Sequence, residues 1–557
     1  MEKYFNGAVE QLLNGLGNTP FNSFMVRYNG EFRISELPVF EEIRKRTDIY
    51  VATHEFVNGE IAGGYEPYLS VICEMFRKHM TGSFEDFLAE CDVYYLQRPV
   101  ILSYFETGVC KREEPVLLDE VEYEQERMIH ALENMLLCLS KVCPIAIFLN
   151  HFQYATWSTM ALTKRLISKE NPNIGLFIGV SDLGSMPEFL IPEWDAIYEK
   201  LDDGSRVYHI GNAEAVRKEP ERMEESSAVA DEENYRKLTN LVSLLDFEQA
   251  SYLLKKIERR IKFDNLEVAD EMKYKMLHLL GEVSILIQDI SKALEISEDL
   301  EKIHLPGKEK ECHFTQDYLV ATAYMYQGKL QEALEYTRRA LAVAGEMGSE
   351  HGIFLAELME TQIQMSGWYN IFFCAQDVKV KQELIQKLIQ NNFWNHLAHI
   401  YIYAYDNKPE IVAKAYRSED LLLYFSKGVR IAKKIGNEQL IYMAYQKNIM
   451  LASTNGMYEI SLLYSIRTFE SLRNKESIEA GRIYSGVAYN LCAMGENERA
   501  KKYYDKAIEL FYYLRRSEDI AEVEYNMALN CIMCGEYSEA EEYLTRCMKA
   551  IEKLHLN

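Results

Sequence analysis

Two pairs of side chains have a spacing that metal chelation uses. Cys531 and Cys534 form the only C-x-x-C, and His396 and His399 the only H-x-x-H. Zinc takes four such ligands, so each pair supplies half a site, and the pairs lie too far apart along the chain to share an ion. Small apolar fillers for the cysteines and helix packing for the histidines are therefore the expected roles. Cys138 and Cys143 straddle a helix end with no second pair, and an odd total of eleven cysteines argues against a complete disulfide framework. No G-x-S-x-G or H-E-x-x-H occurs, so hydrolase and metalloprotease chemistry lack a motif. His130, His209 and His313 stand alone. Glu113–Glu114 and Asp202–Asp203 read as solvated loop charge. Trp368 with Tyr369 and Phe393 with Trp394 read as core, although in a groove such rings would anchor a ligand. No metal or cofactor is expected.

The elements that must position these groups divide the chain in two. Nine of the twelve prolines fall at or before Pro192, so the remainder can be almost continuous helix. In the first part, apolar runs favouring strands alternate with helical ones. Strands are expected at Phe24–Tyr28, Asp48–Phe56, Ile145–Leu149, Ile174–Val180 and Arg206–Ile210. Helices are expected at Val39–Arg46, Pro67–Met80, Glu120–Lys141 and from Trp157. Strands apolar on both faces between helices predict a parallel sheet covered on both sides, an α/β fold. Residues Asn212–Glu233 are charged and poor in large apolar groups. The resulting division is an α/β domain at 1–210, a charged linker at 211–234 and an all-α array at 235–557.

The array repeats about every 40 residues. Hairpin turns are expected near Asp246, Asp289, Gly328, Gly367, Asn407, Gly456, Gly495 and Gly535. Around Gly328, Gly495 and Gly535 a small residue stands seven before (Ala321, Ala488, Ala528), five after (Ala333, Ala500, Ala540) and twelve after (Ala340, Ala507, Cys547). Small side chains let paired helices approach, while Tyr324, Leu334, Tyr504 and Leu544 should fill the space between layers. A net charge of -25 disfavours nucleic acid as a partner. The longest apolar runs fall well short of the ~18 residues of a membrane span, and the N-terminus lacks a signal-peptide pattern. A cytoplasmic protein is expected.

This spacing resembles tetratricopeptide repeats, closely in those three units and loosely elsewhere, with a step longer than the usual ~34 residues. The resemblance implies a superhelical solenoid that binds a protein, a peptide or a small-molecule inducer. The order of segments from Phe21 to Ile210 is similar to the ATPase module of STAND signalling ATPases, which implies a P-loop-NTPase-like parallel sheet. The chemistry departs from that family. Against G-x-x-x-x-G-K-[ST], the segment "GEFRISEL" from Gly30 puts Ser35 at the second glycine, Glu36 at the lysine and Leu37 at the hydroxyl. A carboxylate there repels a triphosphate. Asn150 and His151 stand where the family ends a strand in acids, and Asp182 where a basic sensor residue is usual. A relocated phosphate loop at Gly63 and Gly64 has no lysine within reach along the chain. The expectation is a non-catalytic regulator or adaptor with a pseudo-ATPase scaffold and no cofactor. The alternatives are an ATP-gated STAND-type switch with an unorthodox site, and a transcriptional regulator.

Overall fold

The computed structural model describes residues 23–28, 33–34, 43–58, 60–117, 120–169, 171–181, 186–210, 231–263, 268–366, 381–402, 427–454, 456–472, 474–514 and 516–555. The chain forms two compact units, Met1–Gly367 and Trp368–Asn557.

The first unit opens with β1 (Phe24–Tyr28), β2 (Tyr50–Glu55), β3 (Ile145–Asn150), β4 (Ile174–Val180) and β5 (Val207–Ile210). They form one parallel sheet in the order β2-β3-β4-β1-β5. Every residue of β3 and β4 is buried, as expected for central strands covered on both faces. Alternate side chains serve two cores. Met25, Ile145, Ile147, Leu149, Leu176 and Ile178 face one, and Phe24, Val26, Ala146, Phe148 and Phe177 the other. The chain leaves β1 for one edge of the sheet and leaves the adjacent β4 for the other. Connections that diverge in this way open a crevice at the C-terminal strand ends, where ligands of such sheets bind.

Around the sheet lie α1 (Tyr68–His79), α2 (Phe84–Glu90), α3 (Arg98–Thr107), α4 (Val121–Val142), α5 (Trp157–Ser168) and α6 (Ile191–Asp203). Of the expected helix Val39–Arg46, Ile43 and Arg44 are helical, and the residues before Ile43 lie outside the described set. Hairpins follow: α7 (Glu232–Ser243) with α8 (Phe247–Phe263), α9 (Asp270–Leu286) with α10 (Ile290–Leu300), and α11 (Glu309–Tyr326) with α12 (Leu330–Met347), then α13 (Glu350–Ser366). Helix α7 takes up the last two residues of the charged stretch, and Asp231 caps it by accepting the Asn234 amide.

One continuous core runs from the sheet into these hairpins, through Leu241, Leu245, Phe247, Leu280 and Leu319. Its polar keystone is Asp246, which is wholly buried. Its Oδ2 accepts the Ser158 amide at the head of α5 at 3.0 Å, while Ser158 Oγ accepts the Tyr65 amide at 3.0 Å. Gln125 Nε2 donates to the Leu245 carbonyl at 2.9 Å and to Glu248 at 3.2 Å. A carboxylate at a helix N-terminus satisfies an amide that has no partner within the helix.

The second unit contains α14 (Gln382–Gln390), α15 (Trp394–Ile400), α16 (Lys427–Ile435), α17 (Glu438–Thr454), α18 (Tyr458–Ser471), α19 (Ile478–Ala493), α20 (Asn497–Leu514), α21 (Ser517–Cys534) and α22 (Tyr537–His555). Gly328, Gly456, Gly495 and Gly535 turn their hairpins with φ between +72° and +81°. Glycine takes this left-handed backbone without steric cost. Leu245, Gln288 and Asn392 do the same work with side chains, at φ 58–68°. The expected turns at Gly367 and Asn407 lie outside the described residues, as do Trp368 and Tyr369. All nine small residues of the three clear units are buried. Tyr504 is 1% exposed and Phe511 is 1% exposed, both in α20, which packs against α21. The expectation for Leu544 fails: it is 36% exposed. It occupies the position of Tyr504 in the final hairpin, and among the described residues no later helix covers it.

Candidate functional site

The C-terminal ends of β1 to β4 bring a polar group together. Asn150 closes β3 with its side chain buried, and its carbonyl accepts the Phe56 amide at 3.1 Å. His151 follows in a left-handed conformation, φ 53° and ψ 44°, which swings its ring back over the strand ends. Its Nδ1 lies 3.3 Å from the Tyr28 hydroxyl and 3.4 Å from Ser181 Oγ. Gln153 Nε2 donates to Ser181 Oγ at 2.7 Å, and the Ser181 amide returns to Gln153 Oε1 at 3.4 Å. On the other side, Glu55 Oε1 is 3.9 Å from His151 Nε2. The same oxygen accepts both Arg33 Nε at 3.0 Å and Arg33 Nη2 at 2.7 Å.

The segment after β1 is anchored here by Ile34. Its side chain is fully buried in the second core, and Gly179 of β4 makes room for it: a Cβ on Gly179 would sit 3.2 Å from Ile34 Cβ and 3.3 Å from Tyr28. An apolar plug thus sits on the strand ends next to a guanidinium already satisfied by Glu55. Gly30, Ser35, Glu36 and Leu37, the phosphate-loop positions, lie outside the described residues, as does Asp182.

Serine, histidine and glutamate in this order invite comparison with a nucleophile, base and orienting acid. The 3.9 Å between His151 and Glu55 exceeds the hydrogen-bond reach that such a relay needs, and Ser181 Oγ already accepts from Gln153. The arrangement is a hydrogen-bonded network flanked by one ion pair. Tyr28, Glu55 and Ser181 are not marked by the sequence, and the parallel register brings them to His151, whereas Gln153 is only two residues along the chain.

The other candidates separate. Gly64 is in a packing contact: a Cβ there would meet Leu244 at 3.2 Å and Leu241 at 3.4 Å, so this loop lies against α7 and its C-terminal cap. His396 and His399 are both buried in α15, the former ring 5.7 Å from that of Phe393. His130 lies 3.5 Å from Glu133, and Glu133 also holds Arg165 at 2.7 Å. Cys138, read with Cys143 as lacking a second pair for a metal site, hydrogen-bonds the buried Cys91 thiol. That bond, with help from Lys141, lowers the Cys138 thiol below the ordinary range.

Comparison with known proteins bears on the helical hairpins. Residues 479–553 match the tetratricopeptide repeat family model. The C-terminal hairpins are tetratricopeptide repeats. No curated protein is significantly similar in sequence. Among solved structures, the chain is similar to a signal transduction ATPase with numerous domains (STAND) with a tetratricopeptide repeat sensor from Pyrococcus horikoshii. Identity is 13% over 96% of this chain and 94% of that one, with a TM-score of 0.38. It is also similar to the apo form of the quorum sensor NprR from B. thuringiensis, at 11% identity over 57% of this chain and 97% of that one, TM-score 0.32. A Rap protein complexed with competence and sporulation factor aligns at 12% identity over 58% and 97%, TM-score 0.28. The molecule joins a five-stranded parallel α/β sheet to tetratricopeptide-like helical hairpins. No described helix is long and apolar enough to cross a membrane.

Proposed function

We propose that this chain is a non-catalytic regulatory adaptor: its repeat hairpins take up a peptide or protein segment, and the α/β module serves as scaffold. The observation that carries the scaffold half is the plugged strand end, where Ile34 is buried against Gly179 and Arg33 is tied to Glu55. The binding half is supported by Tyr489 and Leu529. They stand one repeat apart on α19 and α21, each six residues before its turn glycine, and are 51% and 38% exposed. Apolar side chains at equivalent exposed positions of stacked helices suit an extended partner laid across them.

Titrating the full chain with magnesium and ATP tests the first half. No rise in melting temperature and no phosphate release is expected, and a clear rise removes the scaffold reading. For the second, a displayed peptide library is selected on the full chain and the enriched peptides are measured by fluorescence anisotropy. Tyr489→Ala and Leu529→Ala should each weaken binding by about tenfold. Failure to enrich any sequence, or indifference to both substitutions, defeats the groove assignment.

A second reading, an ATP-gated switch, draws on Arg33. Its side chain is 52% exposed beside the strand ends. Released from Glu55, it would offer a cation there. The same titration decides between the two.

A further inference from the structure

The turn between α21 and α22 gathers a donor set that the turn itself does not require. The Cys531 thiol and the carboxylates of Glu536 and Glu539 lie within 4.8 Å of one another. Cys534, the last residue of α21, stands one helical turn beyond Cys531 on the same face and is exposed. The backbone holds this geometry tightly. Gly535 is left-handed at φ 81°, and the Glu536 amide donates to the Cys531 carbonyl at 2.8 Å.

The neighbouring hairpins show what such a turn needs for folding alone. At the matching positions around Gly495 stand Leu491, Met494, Glu496 and Arg499, and around Gly328 stand Tyr324, Gln327, Lys329 and Glu332. Leu491 is as buried as Cys531, so an apolar side chain meets the packing demand at that point. Where the earlier turn has Arg499 paired with Glu496, this one has a second carboxylate. Each earlier turn holds one carboxylate, Glu496 or Glu332, and no thiol; this turn alone combines two thiols with both carboxylates, all within nine residues.

We propose that Cys531, Cys534, Glu536 and Glu539 form a binding site for a thiophilic divalent cation, with zinc as the best-matched ion. Zinc accepts mixed thiolate and carboxylate ligands in a tetrahedron, with Zn–S near 2.3 Å and Zn–O near 2.1 Å, which sets donors about 3.6 Å apart. The three clustered donors close by roughly an ångström as the exposed carboxylates turn inward, and the exposed Cys534 side chain swings in from outside the cluster to supply the fourth ligand. Binding releases the thiol protons to solvent, because thiolates are the ligands. One group opposes it: Lys501 Nζ holds Glu539 at 3.1 Å. The ion must displace this ammonium, so the lysine tunes affinity. Cys492, whose Sγ lies 3.7 Å from Met533 Sδ, is a nearby thiol outside the set.

The test uses the reduced full chain titrated with cadmium, read by its thiolate-to-metal charge-transfer absorption, and with zinc against a chromophoric chelator. One equivalent is expected to bind. Cys534→Ser, at an exposed position that leaves the fold intact, should weaken binding at least about tenfold. Glu539→Gln should do likewise, Cys492→Ser should leave it unchanged, and Lys501→Ala should tighten it. Circular dichroism confirms that each variant is folded. Absence of the band, or its persistence in the Cys531→Ser/Cys534→Ser double variant, overturns the assignment. A band indifferent to both Glu539→Gln and Lys501→Ala also overturns it, because a thiol-only site would behave that way.

Discussion

Replacing Asp246 with asparagine should make the joint between sheet and hairpins more stable at alkaline pH and leave it nearly unchanged in acid. Burial raises the Asp246 carboxyl from 3.8 to about 6, against the opposing hydrogen bonds from Ser158 and Thr156. A rise of roughly two units corresponds to about 3 kcal/mol between the two protonation states, and the group is wholly buried, so solvent screening does not reduce it. Since the folded value exceeds the unfolded one, the contribution of the neutral acid is complete below 3.8 and disappears as pH climbs through about 6. Asparagine keeps an oxygen for the Ser158 amide and never ionises. Asp246→Asn should therefore gain about 1–3 kcal/mol over wild type near pH 8, and close to nothing near pH 4. Asp246→Ala leaves the amide unpaired and should lose about 1–3 kcal/mol near pH 4, but much less near pH 8, because it also removes the buried ionisable group. Urea unfolding followed by tryptophan fluorescence reports the joint, since Trp157 adjoins Ser158, and amide exchange of residues 156–160 localises the effect. If Asp246→Asn is destabilised equally at both pH values, the carboxyl is not a buried acid under strain and the reasoning is wrong.

Other outcomes follow from the same structure. Gly481→Ala should destabilise the second unit by about 1–3 kcal/mol in thermal melts, because the new methyl would lie 2.5 Å from the fully buried Phe511 ring. Cys138 should be alkylated by iodoacetamide well below the pH at which ordinary thiols react, and Cys91→Ser should shift that profile upward, as read by mass spectrometry of the Cys138 peptide. Acidification through about 7 should protonate Glu248, whose burial lifts it from 4.5, and slow amide exchange at the α7–α8 turn; Glu248→Gln should abolish that part of the dependence.

Uninterrupted apolar runs made the strands readable: Phe24–Tyr28 and Ile174–Val180 have the boundaries expected, and the other three differ by no more than two residues at either end. Helices α2, α3 and α6 are missing from the sequence expectations, and proline accounts for the last two. Proline was treated as a stop, yet Pro99 and Pro192 sit in the first turns of α3 and α6, where the missing N–H costs nothing. The hairpin turns expected near Asp246 and Asp289 fall there, with Leu245 and Gln288 taking the left-handed backbone that glycine takes in the later turns. The strand-end cluster was half legible. His151 and Asn150 follow from the pattern of β3, whereas Glu55, Ser181 and Tyr28 join them only through a register that pairs residues 123 and 30 positions apart. Nothing local distinguishes Asp246 from any helix-capping acid, since its burial is a property of α5 and α8 together.

That keystone also governs how the chain can be handled. Severing the sheet from the hairpins ahead of α7 would turn Leu241, Leu244, Leu245 and Phe247, all interior now, into a greasy raft facing water. An expression fragment begun there would be sticky from its first helix. A protease that nicks the connection would free no independent piece, because the severed halves still clasp one another through that patch.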